Sequence, residues 1–132
     1  MPERPARPRR TYPARAAAAL AGAVAMVLST PSPAPAHTTH RPTPVFVWAT
    51  GVNLRTCPST GCAAHAWKLS TVEVEAHCQR RGGTVRDGAY ANDWWVQVDA
   101  GGPVGWVSAV YVSGGGNWEP IPGVSQDFTH CA

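Results

Sequence analysis

The chain has 132 residues, of which 44% are hydrophobic and 14% charged, and it contains 13 Gly, 13 Pro, 4 Cys and 6 Trp. This length allows one small domain and excludes a multidomain enzyme, while the apolar fraction excludes a fully disordered chain. Five Arg against one Glu give residues 1–36 a charge of +4, and six basic against seven acidic side chains give the remainder −1. A nucleic-acid-binding protein needs a basic face to neutralise phosphates, and this nearly neutral remainder does not supply one.

Residues 1–36 have the three-part pattern of a secretory signal peptide. An Arg-rich stretch precedes the apolar run 16–28, and a Pro-rich stretch of small residues follows, in which Ala34 and Ala36 form an A-x-A cleavage site. We therefore predict that the mature chain begins at His37. The apolar run is shorter than the roughly 20 residues that cross a bilayer, so we expect no membrane span in the mature chain and a secreted, extracellular or cell-wall location. The export route stays open.

All four cysteines follow the predicted cleavage site, and an even number in a small exported protein indicates two disulfides. Three pairings are possible. The turn-forming residues 58–61 favour a bond between Cys57 and Cys62, which leaves Cys78 to pair with Cys131. A metal site would require closely spaced C-x2-C pairs, which the sequence lacks, and we expect neither a metal nor a cofactor.

The mature sequence divides into an extended Pro/Thr leader at 37–44, a domain at 45–112 and a Gly-rich irregular tail at 113–132. We expect only Cys131 to tether this tail. Short β-type runs separated by turn residues predict an all-β fold, a small and partly open barrel of about five strands. The expected strands are 45–48, 63–69, 72–78, 94–98 and 104–107, with Tyr111-Val112 closing the barrel and 79–92 forming a long loop or loose hairpin.

Three stretches resemble the bacterial SH3-like domain. They are Val52-Asn53-Leu54-Arg55 leading to Pro58-Ser59-Thr60, then Trp95-Val96-Gln97-Val98, then Gly105-Trp106-Val107-Ser108 with Tyr111-Val112. The resemblance covers about residues 47–112. It implies a small β-barrel found on exported and cell-wall proteins, which binds peptidoglycan, other wall components, peptides or proteins. The sequence departs from the family in its two cysteines in the first loop, its longer 79–92 segment and its extension beyond residue 112.

Adjacent tryptophans in the fourth predicted strand indicate a binding surface. Trp94 and Trp95 must point to opposite faces of a strand, so one of them faces outward. Beside Tyr90 and Asn92, an exposed ring would suit stacking on a sugar or peptide, although it could instead pack under the 79–92 segment. The predicted ligand-binding residues are Tyr90, Asn92, Trp94 and Trp95.

Two further tryptophans have different expected places. Trp106 is expected in the core, because a small barrel needs large apolar side chains at few positions. Trp118, in the tail, is expected to plug the barrel or to form a second exposed contact.

No G-x-S-x-G, H-E-x-x-H or P-loop motif is present, and we expect no enzymatic activity. The expected function is that of a secreted, non-catalytic module that recognises cell-wall peptide or glycan through exposed aromatic side chains. The alternative is a secreted protein-interaction or inhibitor module, in which the tail at 116–130 is presented to a partner.

Overall fold

The computed structural model describes residues 40–132. The predicted signal peptide and the first residues of the leader lie outside this range. The described residues form six β-strands and two 3-10 helices, with no α-helix among them, which confirms the all-β prediction. The strands are β1 (Thr43–Val47), β2 (Val52–Arg55), β3 (Ala64–Leu69), β4 (Val72–Asp87), β5 (Tyr90–Asp99) and β6 (Val104–Ser108), and the 3-10 helices span Ala109–Tyr111 and Phe128–His130.

The six strands form one antiparallel sheet in the order β1-β4-β5-β6-β2-β3, curled into a half-barrel. β1 and β3 are its two edge strands, so the barrel is open, as expected. The isolated bridge between Val47 and Val112 and the hydrogen bond from Ser113 N to Phe46 O fasten the end of β1 to the chain that follows β6. These contacts fix the first 3-10 helix beside β1.

The inner face of the sheet follows the period-2 pattern of its strands. Val74 and Ala76 of β4 are buried while Glu73 and Glu75 are exposed, as the alternation predicts. The main core contains aliphatic side chains of every strand. A second cluster consists of Cys78, Val85, Trp95, Trp106 and Val110, which confirms the core position of Trp106.

Residues 79–92 were predicted to form a long loop or a loose hairpin, and the hairpin is confirmed. β4 continues to Asp87 and β5 begins at Tyr90, so these residues form a long hairpin with a two-residue turn at Gly88-Ala89. Gly88 adopts φ +56°, a conformation that glycine accepts without steric cost. The Gly82-Gly83 pair, which suggested a loop, lies inside β4 where the register with β5 shifts between Arg81 and Val85. Glycines within a strand here mark an irregularity rather than a strand end.

Two further local features add to the predictions. Residues 52–55 were not among the expected strands, but they form β2, which pairs with β3 and meets β6 at one register position, Arg55 to Trp106. Tyr111-Val112 was expected to close the barrel. Val112 forms the isolated bridge to Val47 of β1, while Tyr111 ends a 3-10 helix in which the N–H of Val110 donates to the Ser108 hydroxyl.

Both predicted disulfides are present. Cys57 pairs with Cys62 across a Cα separation of 5.6 Å, and Cys78 pairs with Cys131 across 5.1 Å. The first closes the loop between β2 and β3. The second joins the middle of β4 to the end of the tail, 53 residues later.

The tail is held at many more places than Cys131. Ile121 and Val124 are buried in the main core. The side chain of Gln79, 2% exposed, donates to Ile121 O and Val124 O, each over 2.8 Å, and accepts from Ile121 N over 2.7 Å. Gln97 binds Ala132 N and O in the same two-sided manner. Side-chain amides from β4 and β5 therefore supply the partners that an irregular backbone lacks.

Candidate functional site

A cleft of about 560 Å³ opens between the chain after β1, the loop between β2 and β3, and the hairpin of β4 and β5. We call it the aromatic cleft. Its lining residues are Trp48, Ala49, Thr50, Gly51, Val52, Asn53, Arg55, Thr60, Val85, Asp87, Trp95, Ser108 and Tyr111. This volume lies within the range of small-ligand sites.

One wall of the cleft is built by Trp48 and Tyr111. Trp48 directly follows β1, and both its backbone N and its indole Nε1 donate to carbonyls of the first 3-10 helix, Tyr111 O and Val110 O, over 3.1 Å. The rings of Trp48 and Tyr111 lie 6.1 Å apart at 53°. The end of β1 and the 3-10 helix therefore fix each other, and they hold two aromatic rings at the cleft.

The β4-β5 hairpin supplies the facing groups. Asp87 and Tyr90 are register partners on either side of its turn. The Tyr90 ring lies 5.7 Å from that of Trp48 at 56°, and Tyr90 is 55% exposed. Tyr90 thus extends the aromatic wall beyond the cleft lining, and Asp87 brings a carboxylate to it.

The floor includes Trp95, which is 2% exposed. Its indole Nε1 donates to Gly83 O over 2.7 Å, at the irregular stretch of β4. Gly83 N in turn donates to Pro58 O over 3.0 Å, so the disulfide-closed loop packs onto the same stretch. The absence of a side chain at Gly82 permits this approach, because a Cβ there would collide with Pro58 O and lie 2.9 Å from Trp95 Cδ1.

Polar side chains of β2 form another part of the lining. The Arg55 guanidinium donates to Cys62 O over 2.9 Å, and the Asn53 side-chain oxygen accepts from Lys68 Nζ. Arg55 is therefore oriented by the disulfide-closed loop. The cleft combines aromatic surfaces with one carboxylate and one guanidinium, which suits reversible binding of a ligand that carries both apolar and polar groups.

The phenol of Tyr111 is held in its neutral form. Burial, followed by the hydrogen bond to Asp87 and by the negative charge of that carboxylate, raises the pKa of Tyr111 above its ordinary value. The cleft therefore extends towards higher pH the range over which the Tyr111 hydroxyl stays protonated.

The four predicted ligand-binding residues do not share one surface. Tyr90 adjoins the cleft wall and Trp95 forms part of its floor, but neither Asn92 nor Trp94 lines the cleft. Trp95 is buried in the second core cluster, so it cannot be the exposed platform that the sequence suggested.

Asn92 and Trp94 have structural contacts instead. Asn92 is buried and donates to Gly116 O and Glu119 O of the tail. Trp94 packs against the main core, and the guanidinium of Arg81, which pairs with Asp93 over 3.0 Å, lies 5.1 Å from its ring. Trp118, the tryptophan of the tail, is 45% exposed and lies under Arg86, so it does not plug the barrel.

Sequence reasoning missed Trp48, Asp87 and Tyr111. One signal was available for Trp48: alternation along Val45-Phe46-Val47-Trp48 puts the two valines on one face and Trp48 on the other, and the structure buries both valines. Asp87 was placed in a long loop or loose hairpin, and Tyr111 was expected only to help close the barrel. Their meeting depends on the length of the hairpin and on the 3-10 helix.

A second, smaller depression of about 240 Å³ lies between β3 and the start of β4. Trp67, 56% exposed on the edge strand β3, is part of its lining. Trp67 does not line the aromatic cleft, which makes it a suitable reference position for experiments on Trp48.

Within residues 40–132, no cluster of three or more His, Cys, Asp or Glu side chains is arranged to hold a metal ion. No helix in the same range is long and apolar enough to cross a membrane. No protein-family model matches the chain, and comparisons with curated proteins and with solved structures find no similar protein.

Proposed function

We propose that this protein is an exported, non-catalytic binding module of the bacterial SH3-like kind, and that its aromatic cleft recognises cell-wall peptide or glycan. The observation that carries the proposal is the cleft itself, in which Trp48 and Tyr111 form a fixed wall that Tyr90 extends outward. Aromatic rings give a large contact area at little cost in conformational entropy, and they stack on the flat faces of sugars and peptides.

The disulfides support the export part of the proposal. Disulfides persist in oxidising compartments and are rare in the cytosol of most organisms. Both bonds also shape the site or its scaffold, since one closes the loop that orients Arg55 and the other ties the tail to β4.

The second candidate function is binding of another protein through the tail. Phe128, 71% exposed in the second 3-10 helix, is the observation that favours it. The burial of Ile121 and Val124 counts against a freely presented tail, because most of that segment is committed to the core and to Gln79.

A sedimentation assay with purified cell-wall sacculi tests the leading proposal. The oxidised protein should be retained, and Trp48→Ala and Tyr90→Ala should each lower retention. Tyr90→Ala should disturb the fold less than Trp48→Ala, because the Tyr90 side chain is mostly exposed. Trp67→Ala is the matched control and should be retained like the unmodified protein. Absence of retention on sacculi of several wall types, or equal retention of all variants, would refute binding through the cleft.

A further inference from the structure

The aromatic cleft contains a carboxylate without a basic partner. Among residues 40–132, the salt bridges join Arg81 to Asp93 and His130 to Asp127, and Asp87 takes part in neither. Tyr111 lines the same cleft, where the carboxylate of Asp87 contributes to the raised pKa of its phenol, and this phenol carries no charge at neutral pH. Within the described part of the chain, Asp87 therefore brings to the cleft a carboxylate that has no salt-bridge partner.

Three aromatic rings surround this end of the cleft. Trp48 lies between Tyr90 and Tyr111, at ring-centre distances of 5.7 and 6.1 Å, and it is tilted by more than 50° to each. Tilted rings at these distances form a corner that presents more than one π face. We call Asp87 with these three rings the acidic aromatic corner.

This combination selects for a cation. The faces of aromatic rings attract ammonium groups, and a nearby carboxylate adds a charge-assisted hydrogen bond. Asp87 would repel an anionic ligand. An apolar ligand would desolvate the carboxylate without replacing the hydrogen bonds that water makes to it, which costs free energy. Arg55 is the cation in the lining, but its guanidinium is on β2 and is bound to Cys62 O.

We propose that the acidic aromatic corner binds a primary alkylammonium group, supplied by the side chain of a diamino acid in a cell-wall peptide. This inference rests on the proposed function for the source of the amine. The attraction of the corner for an ammonium group does not depend on that source. Arg55, elsewhere in the same lining, donates to Cys62 O through Nη1, and its other N–H groups offer a partner for a carboxylate of the same peptide.

A small amine probe tests the corner without cell wall. Nα-acetyl-lysine amide carries the ammonium group, and its Nε-acetylated form has nearly the same shape without the charge. Tryptophan fluorescence should report binding of the first with a dissociation constant on the order of millimolar, as expected for so small a ligand. The acetylated form should bind at least about tenfold more weakly, because it loses both cation-π and charge-assisted contacts.

Asp87→Asn provides the matched variant, since it preserves the shape of the side chain and removes its charge. It should weaken binding of the amine about tenfold and leave the weak binding of the acetylated probe unchanged. Glu73→Gln is the control, because it removes one charge from an exposed position on the same strand outside the cleft. Equal affinities for the two probes, or equal effects of Asp87→Asn and Glu73→Gln, would overturn the inference.

Sacculi whose free amines have been acetylated separate the two proposals. If untreated sacculi retain the protein and acetylated sacculi do not, the wall amine is the ligand. If untreated and acetylated sacculi retain the protein equally, the ammonium inference fails and the wall-binding function survives. If the small amine binds in an Asp87-dependent manner but no sacculi retain the protein, the corner binds amines as proposed and the wall-binding function fails.

Discussion

Replacing Gln79 with Ala should loosen the middle of the tail, at Ile121 and Val124, from the sheet. Gln79 is 2% exposed, and its side chain makes three hydrogen bonds of 2.7 to 2.8 Å to the backbone of Ile121 and Val124. Each such bond contributes about 1 kcal/mol net, and the substitution also leaves buried backbone groups without partners. We therefore expect the free energy of unfolding to fall by about 3 to 4 kcal/mol, a large part of the stability of a small domain.

Urea denaturation of the oxidised protein measures this loss, and hydrogen exchange locates it. The Ile121 amide donates to the Gln79 side chain, so its protection should fall more than that of amides in β5. Gln126→Ala is the matched control, because Gln126 lies in the same tail and is exposed. If Gln79→Ala and Gln126→Ala have the same stability within about 0.5 kcal/mol, the tail is not held by this side chain.

Three further predictions concern the scaffold and the cleft. Gly82→Ala should destabilise the protein by about 2 kcal/mol or more in thermal or urea unfolding, because its Cβ would collide with a backbone carbonyl of the β2-β3 loop; Gly102→Ala, with open space around it, should be almost neutral. Since the folded-state pKa of Tyr111 is raised, its contribution to stability is complete below its unfolded-state pKa of about 10 and is lost as pH rises through the folded-state pKa. Absorbance titration of the folded protein should show that Tyr111→Phe removes a phenol that ionises above the ordinary pKa of tyrosine. Removal of a phenol that ionises at the ordinary pKa would contradict this. Replacing Cys78 and Cys131 together with Ser should cost about 4 kcal/mol by the loop-closure relation, and a loss below about 1 kcal/mol by urea denaturation would show that the tail is held without the disulfide.

Much of the scaffold could be predicted from local sequence. Val72 to Cys78 alternates cleanly, so both its strand conformation and the exposure of Glu73 and Glu75 follow from the period of two. The disulfide pairing followed from the turn residues between Cys57 and Cys62, which leave one pairing for the other two cysteines.

The continuation of β4 through residues 79–87 could not be predicted in the same way. Gly82-Gly83 and Asp87-Gly88 carry the same local turn signal, yet only Gly88 lies in a turn. Gly82 lies within β4, where its lack of a side chain lets the Pro58 loop pack closely, and this is a contact between segments distant in sequence. Propensity rules do not contain such contacts.

The candidate site was predicted only in part, for a related reason. Strand alternation showed that Trp94 and Trp95 face opposite sides, but both sides of β5 are covered, one of them with help from the tail. The exposed aromatic side chains beside the cleft are instead Trp48 and Tyr90, one just after the end of β1 and one at the start of β5. Asn92 and Gln79 had no visible partner in the sequence, because their partners are backbone groups of an irregular tail.

The indole N–H signals of the tryptophans, observed by NMR during titration with soluble cell-wall fragments, test the central claim most directly. Trp48 and Trp95 line the cleft, whereas Trp67 and Trp118 are exposed and do not. Binding through the aromatic cleft predicts that the signals of Trp48 and Trp95 shift with ligand concentration while those of Trp67 and Trp118 stay in place. Shifts confined to Trp67 or Trp118, or no shift at any fragment concentration, would contradict the account.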